Sequence, residues 1–221
     1  MKIESFGEEI IPKFSQTCNF DLINKQISSI CRVIGRYYGE ERWGSGFFCK
    51  IPYKNSVIQV LITNRLVVSD LSRGLDKKIK VFVNNKEYNL NVDENQIIYS
   101  SYECDIVIIR INEQDNINNF FELDERIYNN ELEIFCKKHF VYMLSFSKDE
   151  NPRISFGDVF EKISDFEIKH NCFSECSSSG APILDYYSNK VIGIHKGGLK
   201  RKNIKYGTFL RYPLDELNKK N

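Results

Sequence analysis

Short apolar or alternating runs, separated by polar breaks, dominate this sequence of 221 residues. Such runs are typical of β-strands, and no long segment between them repeats its apolar residues with the 3.6-residue period of an α-helix. The runs recur at intervals of roughly 8–15 residues, which favours barrels or a sandwich over alternating βαβ units. The pattern predicts an all-β chain with strands at residues 29–35, 46–51, 57–63, 78–83, 97–100, 105–111, 132–136, 140–146, 153–163, 166–172, 181–185, 191–195 and 206–210.

The polar, Asn-rich stretch 112–124 is the natural seam of the chain and divides the predicted strands into two groups of similar size. A chain of this length suits one large domain or two small lobes packed as one unit. The tail 213–220 begins with a proline, places Leu214 and Leu217 on one face and ends in lysines, which predicts a short helix. Residues 1–28 form an unassigned N-terminal extension, with a weaker helical pattern at 13–28.

Charge and hydropathy exclude several classes of partner. The chain carries 31 Lys+Arg and 30 Asp+Glu, a net charge of +1, so it has no overall field that would attract nucleic acid or a membrane. The basic run 196–205 lacks interleaved aromatic residues, which argues against single-stranded nucleic acid. No apolar segment is long enough for a signal peptide or a bilayer span. We expect neither nucleic acid nor membrane as a partner.

The seven cysteines predict free thiols and no metal site. Their number is odd, none lies in a CxxC pair, and Cys172 and Cys176 have no matching second pair of zinc ligands. The sequence also has no Asn-x-Ser/Thr acceptor. These features together favour a reducing, cytoplasmic location. No cofactor is expected.

Two polar positions stand out as candidates for chemistry. Ser179 lies in a turn of small residues that leads into an apolar strand, an arrangement that can expose a hydroxyl beside backbone N–H groups. Asp105 stands at the head of a strongly apolar strand, where a partly buried carboxylate needs a hydrogen-bond donor. Simpler interpretations stay open for both, since Ser-Gly turns are common and an aspartate can cap a strand. Trp43, just before a Gly-Ser-Gly segment, is expected to be a packing residue.

Five segments stand in this order along the chain: Gly44-Ser-Gly-Phe47, Leu61-Ile-Thr-Asn-Arg-Leu66, Asp105-Ile106, Ser177-Ser-Ser-Gly-Ala-Pro182 and Val191-Ile-Gly-Ile194. Together they resemble the trypsin/chymotrypsin-fold serine peptidases (S1-type, PA clan), in the intracellular and bacterial-like branch without disulfides. The resemblance covers residues from about 29 to 217 and implies two six-stranded antiparallel β-barrels with a short C-terminal helix. Barrel one would take about 29–115 and barrel two about 120–212.

The resemblance assigns roles to single residues. Ser179 matches the nucleophile, and Asp105 matches the carboxylate that orients a catalytic histidine. The backbone N–H groups of Ser177 and Ser179 match the oxyanion hole, although the family has glycine where this chain has Ser177. The histidine position holds Leu66, which has no titratable nitrogen. Arg65 beside it stays protonated and cannot act as a base near neutral pH.

The segment Val191-Ile-Gly-Ile-His-Lys-Gly-Gly198 resembles the pocket strand of glutamyl endopeptidases, in which a histidine helps to recognise an acidic side chain. His195 matches that histidine, Ser174 matches a hydroxyl on the opposing wall, and Lys196 and Gly197 continue the pocket strand. An extended peptide would add as a strand along 196–199. The alternative is that His195 is a core residue beside a solvated basic loop.

The sequence therefore predicts a serine-peptidase homologue that is catalytically impaired or inactive. Such a protein would bind an extended peptide or protein segment in the cleft, with a preference for acidic side chains. The alternative is an active serine endopeptidase with Ser179 as nucleophile and a base that the sequence does not reveal. The three histidines, His139, His170 and His195, all fall in the second lobe, so none is an obvious substitute for the missing base.

Overall fold

The computed structural model describes residues 20–93, 95–128, 139–199 and 204–219, and these residues form fourteen β-strands and three α-helices. The helices are α1 (Phe20–Ile27), α2 (Ser69–Ser72) and α3 (Arg211–Lys219). The strands are β1 (Ile30–Tyr37), β2 (Glu40–Tyr53), β3 (Ser56–Thr63), β4 (Lys78–Val83), β5 (Lys86–Asn91), β6 (Ile97–Ser101), β7 (Ile106–Arg110), β8 (Phe121–Glu122), β9 (His139–Phe146), β10 (Pro152–Lys162), β11 (Glu167–His170), β12 (Pro182–Asp185), β13 (Val191–Leu199) and β14 (Ile204–Phe209).

The first half of the chain forms one antiparallel sheet around the long strand β2. Its strand order is β5-β4-β1-β2-β3-β7-β6, and the short strand β8 pairs with β2 in parallel. Hairpins connect the neighbouring strands β2–β3 and β4–β5. The second hairpin turns at Asn84 and Asn85, which both take positive φ (49° and 64°), a conformation that asparagine tolerates better than most residues.

The second half of the chain closes into a six-stranded barrel. Its strand order is β10-β11-β14-β13-β12-β9, with β10 returning to β9 so that the sheet has no free edge along this path. Strand β13 is longer than its neighbour β12: β12 pairs with it only as far as Ile194, whereas β14 pairs with it up to Leu199.

Apolar residues on both faces of the central strands give the first sheet its stability. Phe47, Ile62 and Ile108 point into a core that the first sheet shares with the second barrel and α3. Their chain neighbours Phe48 and Leu61 point the opposite way, into a separate core inside the first sheet. Because successive strand residues alternate between faces, strands that are buried on both sides read as continuous apolar runs, as these do.

The predicted fold class is confirmed, with a mostly β chain, a closed six-stranded barrel, a second sheet and a short C-terminal helix. Among the described residues, β5 and β6 are the two ends of the first sheet and do not pair with each other. The predicted C-terminal helix is α3, which buries Leu214 and Leu217 as expected. Helix α1 falls within the weaker pattern at 13–28. The predicted strand at 132–136 lies outside the described residues.

Two strands, β5 and β8, were not predicted. β5 carries only one buried residue, Leu90, so its alternation is weak, and the Asn84-Asn85 turn before it was the available signal. β8 is two residues long and was assigned to the polar seam. The five cysteines in the described part of the chain are free thiols. No helix in that part is long and apolar enough to cross a membrane.

Candidate functional site

Asp105 holds the end of strand β3 in place. It is buried, takes positive φ (48°) just before β7, and its carboxylate accepts two hydrogen bonds. The Asn64 side-chain amide donates to Oδ2 at 2.7 Å, and the backbone N–H of Leu66 donates to Oδ1 at 2.9 Å. Asp105 therefore organises the turn that carries the predicted histidine position. Asn64 was not predicted as a site residue, because it gave no signal beyond its place after Thr63.

The protonation of Asp105 follows from this environment. Burial is the largest influence and raises its pKa above the ordinary aspartate value, although the bonds from Asn64 and Leu66 act in the opposite direction. Asn64 Oδ1 is itself buried and has no hydrogen-bond partner among the described residues. Within the Asn64 amide, the nitrogen therefore has a hydrogen-bond partner in Asp105, whereas the oxygen has none among the described residues.

Leu66 lies at the surface of this turn. Its side chain is 48% exposed, and the guanidinium of Arg65 lies 5.5 Å from the ring centroid of Tyr102. The position that the resemblance assigns to a histidine therefore presents a hydrocarbon to solvent, and the neighbouring cation is turned toward an aromatic ring.

Ser179 follows a short 3-10 turn, Cys176–Ser178, and is half-buried. Its hydroxyl donates to the backbone carbonyl of Lys196 at 3.1 Å. No histidine ring is among the hydrogen-bond partners of Ser179 in the described residues. A carbonyl oxygen accepts a hydrogen bond but is too weak a base to take up the proton near neutral pH, so this contact does not activate the serine.

Ser45, on strand β2, joins the first sheet to the segment that carries Ser179. Its N–H donates to the Ser179 carbonyl at 2.7 Å, and its hydroxyl donates to the Ser177 carbonyl at 2.9 Å. The same hydroxyl accepts from the Phe146 N–H at 3.2 Å, and the Ser45 carbonyl accepts from the Thr63 hydroxyl at 2.8 Å. Ser45 was not predicted as a site residue, although it stands between Gly44 and Gly46.

Glycines allow the two halves to approach at this point. A Cβ at Gly180, which takes φ +92°, would lie 2.0 Å from the Ser45 carbonyl oxygen. A Cβ at Gly44 would lie 2.8 Å from the Ser179 carbonyl oxygen. The backbones of the two halves are in close contact at these two positions. The site geometry therefore requires that Gly44 and Gly180 have no side chain.

Ser177 is the residue predicted to supply one oxyanion N–H group, and its hydrogen bonds within the described residues involve its hydroxyl and its carbonyl. Its hydroxyl donates to the Phe146 carbonyl at 2.7 Å, and its own carbonyl accepts from Ser45. These contacts fix the loop before Ser179 on strand β9. The assignment of the Ser177 and Ser179 N–H groups to an oxyanion hole stays a prediction.

The predicted pocket residues are only partly brought together. His195 is buried, and its Nδ1 lies 3.0 Å from Nε2 of the equally buried His170. Burial, with a smaller contribution from Lys205, lowers the pKa of His195 to about 3, so the imidazole is neutral at neutral pH. Burial and the neighbouring His195 also lower the pKa of His170 well below its usual range. His170 was not predicted as a partner of His195.

The remaining pocket residues differ in their availability. Space is open at Gly197, where a Cβ would meet no atom within 4 Å. Lys196 directs its ammonium to Glu167 Oε1 at 3.0 Å and to the Glu103 carbonyl at 3.2 Å, so its charge is already paired. Ser174 is half-buried in the loop after β11, and no hydrogen bond joins it to His195 in the described residues.

The third histidine belongs to a separate network. His139 Nε2 bonds the fully buried Asp185, which also pairs with Arg126. Burial by itself raises the pKa of Asp185, but the hydrogen bonds from His139 and the Ser188 N–H outweigh it and hold that pKa below its ordinary value. His139 thus serves a structural ion network. The described residues contain no cluster of three or more potential metal ligands.

Comparison with solved structures supports a trypsin-like serine protease fold. A serine endoprotease from Yersinia pestis superposes with a TM-score of 0.65 at 12% identity, over 89% of this chain and 65% of that one. This chain thus spans about two thirds of the Yersinia protein. The Rv3671c protease in an inactive form gives a TM-score of 0.64 at 13% identity, over 90% and 92% of the two chains.

A second Rv3671c structure, an inactive serine-to-alanine mutant from M. tuberculosis H37Rv, gives 0.61 at 14% identity over 91% and 95%. No protein-family model matches the chain, and no curated protein matches its sequence. At these identities the structural likeness establishes the fold alone.

The close approach at Gly180 predicts a large loss of stability for Gly180→Ala. The added Cβ would collide with the Ser45 carbonyl, so we expect a loss of at least about 3 kcal/mol in urea unfolding. Gly39→Ala is the matched control, because Gly39 also has positive φ (81°) but nothing within 4 Å of the new Cβ. It should cost about 1–2 kcal/mol from backbone strain alone. Equal losses would contradict the described junction.

The raised pKa of Asp105 predicts a specific pH dependence. Because the folded state holds this proton to higher pH than the unfolded chain, the contribution of Asp105 to stability is complete below about pH 4 and is lost as pH rises through the folded pKa. In Asp105→Asn, Asn64 can rotate its amide so that its unpaired Oδ1 accepts from the new side chain. The wild-type minus variant difference in unfolding free energy should therefore fall with rising pH, and a rise would contradict this.

Proposed function

We propose that this protein is a serine-peptidase homologue without peptidase activity that binds an extended peptide segment in the cleft beside Ser179. One observation carries the proposal: the groups that would complete a catalytic triad have other partners. Ser179 donates to the Lys196 carbonyl, and Asp105 is occupied by Asn64 and the Leu66 N–H. Two histidines pair with each other and the third binds Asp185.

The chemical consequence is large. Without a general base the serine hydroxyl keeps its proton near neutral pH, and loss of the base from such a triad costs about 10⁶-fold in kcat. Burial keeps the imidazoles of His170 and His195 neutral, but their mutual contact at 3.0 Å commits one nitrogen of each ring to the other. The structure of the described residues therefore supports binding better than turnover.

The free edge of strand β13 supports peptide binding. Strand β12 pairs with β13 only as far as Ile194. Two further backbone hydrogen bonds, which join His195 to Gly180 and Ala181, cover this edge of β13 as far as His195. Beyond that point β14 covers one edge of β13, and no strand covers the other edge among the described residues. Unpaired backbone groups on a strand edge accept an added strand, so an extended peptide could pair along Lys196–Leu199.

An acidic side chain is the favoured anchor for such a peptide. The open space at Gly197 admits a ligand close to the backbone, two residues after the buried His195, and the charge of Lys205 acts on both His170 and His195. Since His195 is neutral, it would recognise a carboxylate by hydrogen bonding, and Lys205 would add a favourable field. An acidic preference also agrees with the resemblance of this part of the sequence to the substrate pocket of glutamyl endopeptidases.

The absence of a base can be tested with a serine-reactive phosphonofluoridate probe. We expect no labelling of the wild type. Leu66→His should restore slow labelling, because the residue at 66 already lies beside the Asp105 carboxylate. Leu66→His with Asn64→Ala should label faster, since Asn64 occupies the carboxylate oxygen that a new imidazole needs. A further gain on adding Ser177→Gly would show that the oxyanion hole is also impaired.

Two controls belong to this experiment. Ser179→Ala in each background must abolish labelling. Leu75→His, which changes a leucine that is 67% exposed on the loop after α2, must give none. Wild-type protein that is labelled, and that hydrolyses a polypeptide with multiple turnovers until Ser179 is replaced, would establish the active-endopeptidase alternative instead.

The acidic preference predicts a difference between matched peptides. Fluorescein-labelled eight-residue peptides that differ only by Glu or Gln at the fourth position would be titrated at pH 7 and followed by anisotropy. We expect the Glu peptide to bind about tenfold more tightly, the usual order for a hydrogen bond to a charged group. His195→Ala should remove the difference, whereas Lys219→Ala, a charge change on α3, should preserve it. Equal binding of both peptides to the wild type would contradict the acidic preference.

A further inference from the structure

Arg32, on strand β1, is a buried cation on the face of the first sheet that meets the second barrel. It is the cross-strand partner of Ser45 on β2 and of Phe82 on β4, and such partners share a face of the sheet. Its guanidinium carbon lies 4.4 Å from the Phe82 ring centroid and 5.1 Å from the Trp43 ring centroid. Only 8% of Arg32 is exposed, so little water reaches its charge and a carboxylate partner matters more here than at an open surface.

Glu150 supplies that partner from the turn between β9 and β10. Its carboxylate forms an ion pair with the Arg32 guanidinium, and no other carboxylate of the described residues pairs with Arg32. Glu150 takes φ +67°, a left-handed conformation that is unfavourable for a residue with a Cβ, and its N–H donates to the Ser147 carbonyl at 3.0 Å. The turn therefore holds Glu150 where its carboxylate reaches the first sheet.

The turn that carries Glu150 is bonded to residues 175–179, which we call the Ser179 loop. The Lys148 N–H of the turn donates to Glu175 Oε2 at 3.2 Å. At the end of β9, the Phe146 carbonyl accepts from the Ser177 hydroxyl at 2.7 Å. A displacement of the turn would therefore be passed directly to the Ser179 loop.

We propose that the Arg32–Glu150 ion pair is a latch that holds the Ser179 loop in position, so that both residues are positioning residues of the cleft. Ser45 attaches the first sheet where β9 ends, at the Phe146 N–H, and Arg32 attaches it four residues later, at Glu150. Two attachments prevent the turn from pivoting about either one. The value of the latch for recognition rests on the proposed function, because a loop already held in place loses less conformational entropy when a peptide binds beside it.

The test is amide hydrogen exchange, followed by NMR, in the wild type and in Glu150→Gln, which removes the charge and keeps the shape of the side chain. The probes are the N–H groups of Lys148 and Ser178, which bond the Glu175 carboxylate and carbonyl. Relative to the amides of β3, we expect both to exchange about fivefold faster in the variant, the order for loss of a partly buried ion pair. Glu161→Gln is the matched control and should leave both rates unchanged, because Glu161 is also an ion-paired carboxylate with a side chain that is 49% exposed.

A double-mutant cycle shows whether the effect depends on the pair itself. Arg32→Met should speed exchange of the same two amides, and adding Glu150→Gln to it should change their rates no further, because the partner is already gone. Arg32→Lys keeps a cation and should lie between Arg32→Met and the wild type. Unchanged rates in Glu150→Gln, or the same acceleration in the presence and absence of Arg32, would overturn the latch. These rates are measured without a peptide, so a failure of peptide binding would contradict the proposed function and leave the latch in place.

Discussion

The hydrogen bonds of Ser45 are the interactions on which the cleft depends. Through one residue, strand β2 of the first sheet binds the Ser179 and Ser177 carbonyls and the Phe146 N–H of the second barrel. β2 cannot shift to relax these bonds, because Phe47 and Phe48 anchor its two faces in different cores. The packing of the sheet thus fixes Ser45, Ser45 fixes the loop, and the loop fixes the Ser179 hydroxyl against the Lys196 carbonyl.

Catalysis and binding place different demands on such a cleft. Turnover needs a titratable group at one position, and a single side chain can remove it. Binding of an extended chain needs unpaired backbone along a strand edge and open space above it, which here come from the unequal lengths of β12 and β13 and from Gly197. These features belong to the sheet architecture. On the proposed function, a leucine at position 66 would therefore remove the chemistry and leave the surface on which peptide recognition would depend.

The sequence predicted the class of fold and most strand positions because strands buried on two faces, such as β3 and β7, read as unbroken apolar runs. It could not predict β5, because most residues of this strand are exposed and its sequence therefore lacks the apolar alternation of a half-buried strand. At the candidate site, Ser179 and Asp105 were singled out from their neighbours in the chain, and their assigned roles stay predictions. Their partners were not singled out, because Asn64 and the Lys196 carbonyl meet them only through the register of folded strands. The pairing of His195 with His170 was equally hidden, since it crosses between β13 and β11.

Asp105 shows why a familiar pair of residues is weak evidence for activity. A buried carboxylate without donors would be costly, so a chain that lacks the histidine must supply other donors or lose the aspartate. This chain supplies the Asn64 amide and the Leu66 N–H, and in return the carboxylate holds the turn that ends β3. Ser179 likewise has a structural place, with its carbonyl on Ser45 and its hydroxyl on Lys196. Because both residues have hydrogen-bond partners without an imidazole, each has a structural role here, and their presence gives no independent support for catalysis.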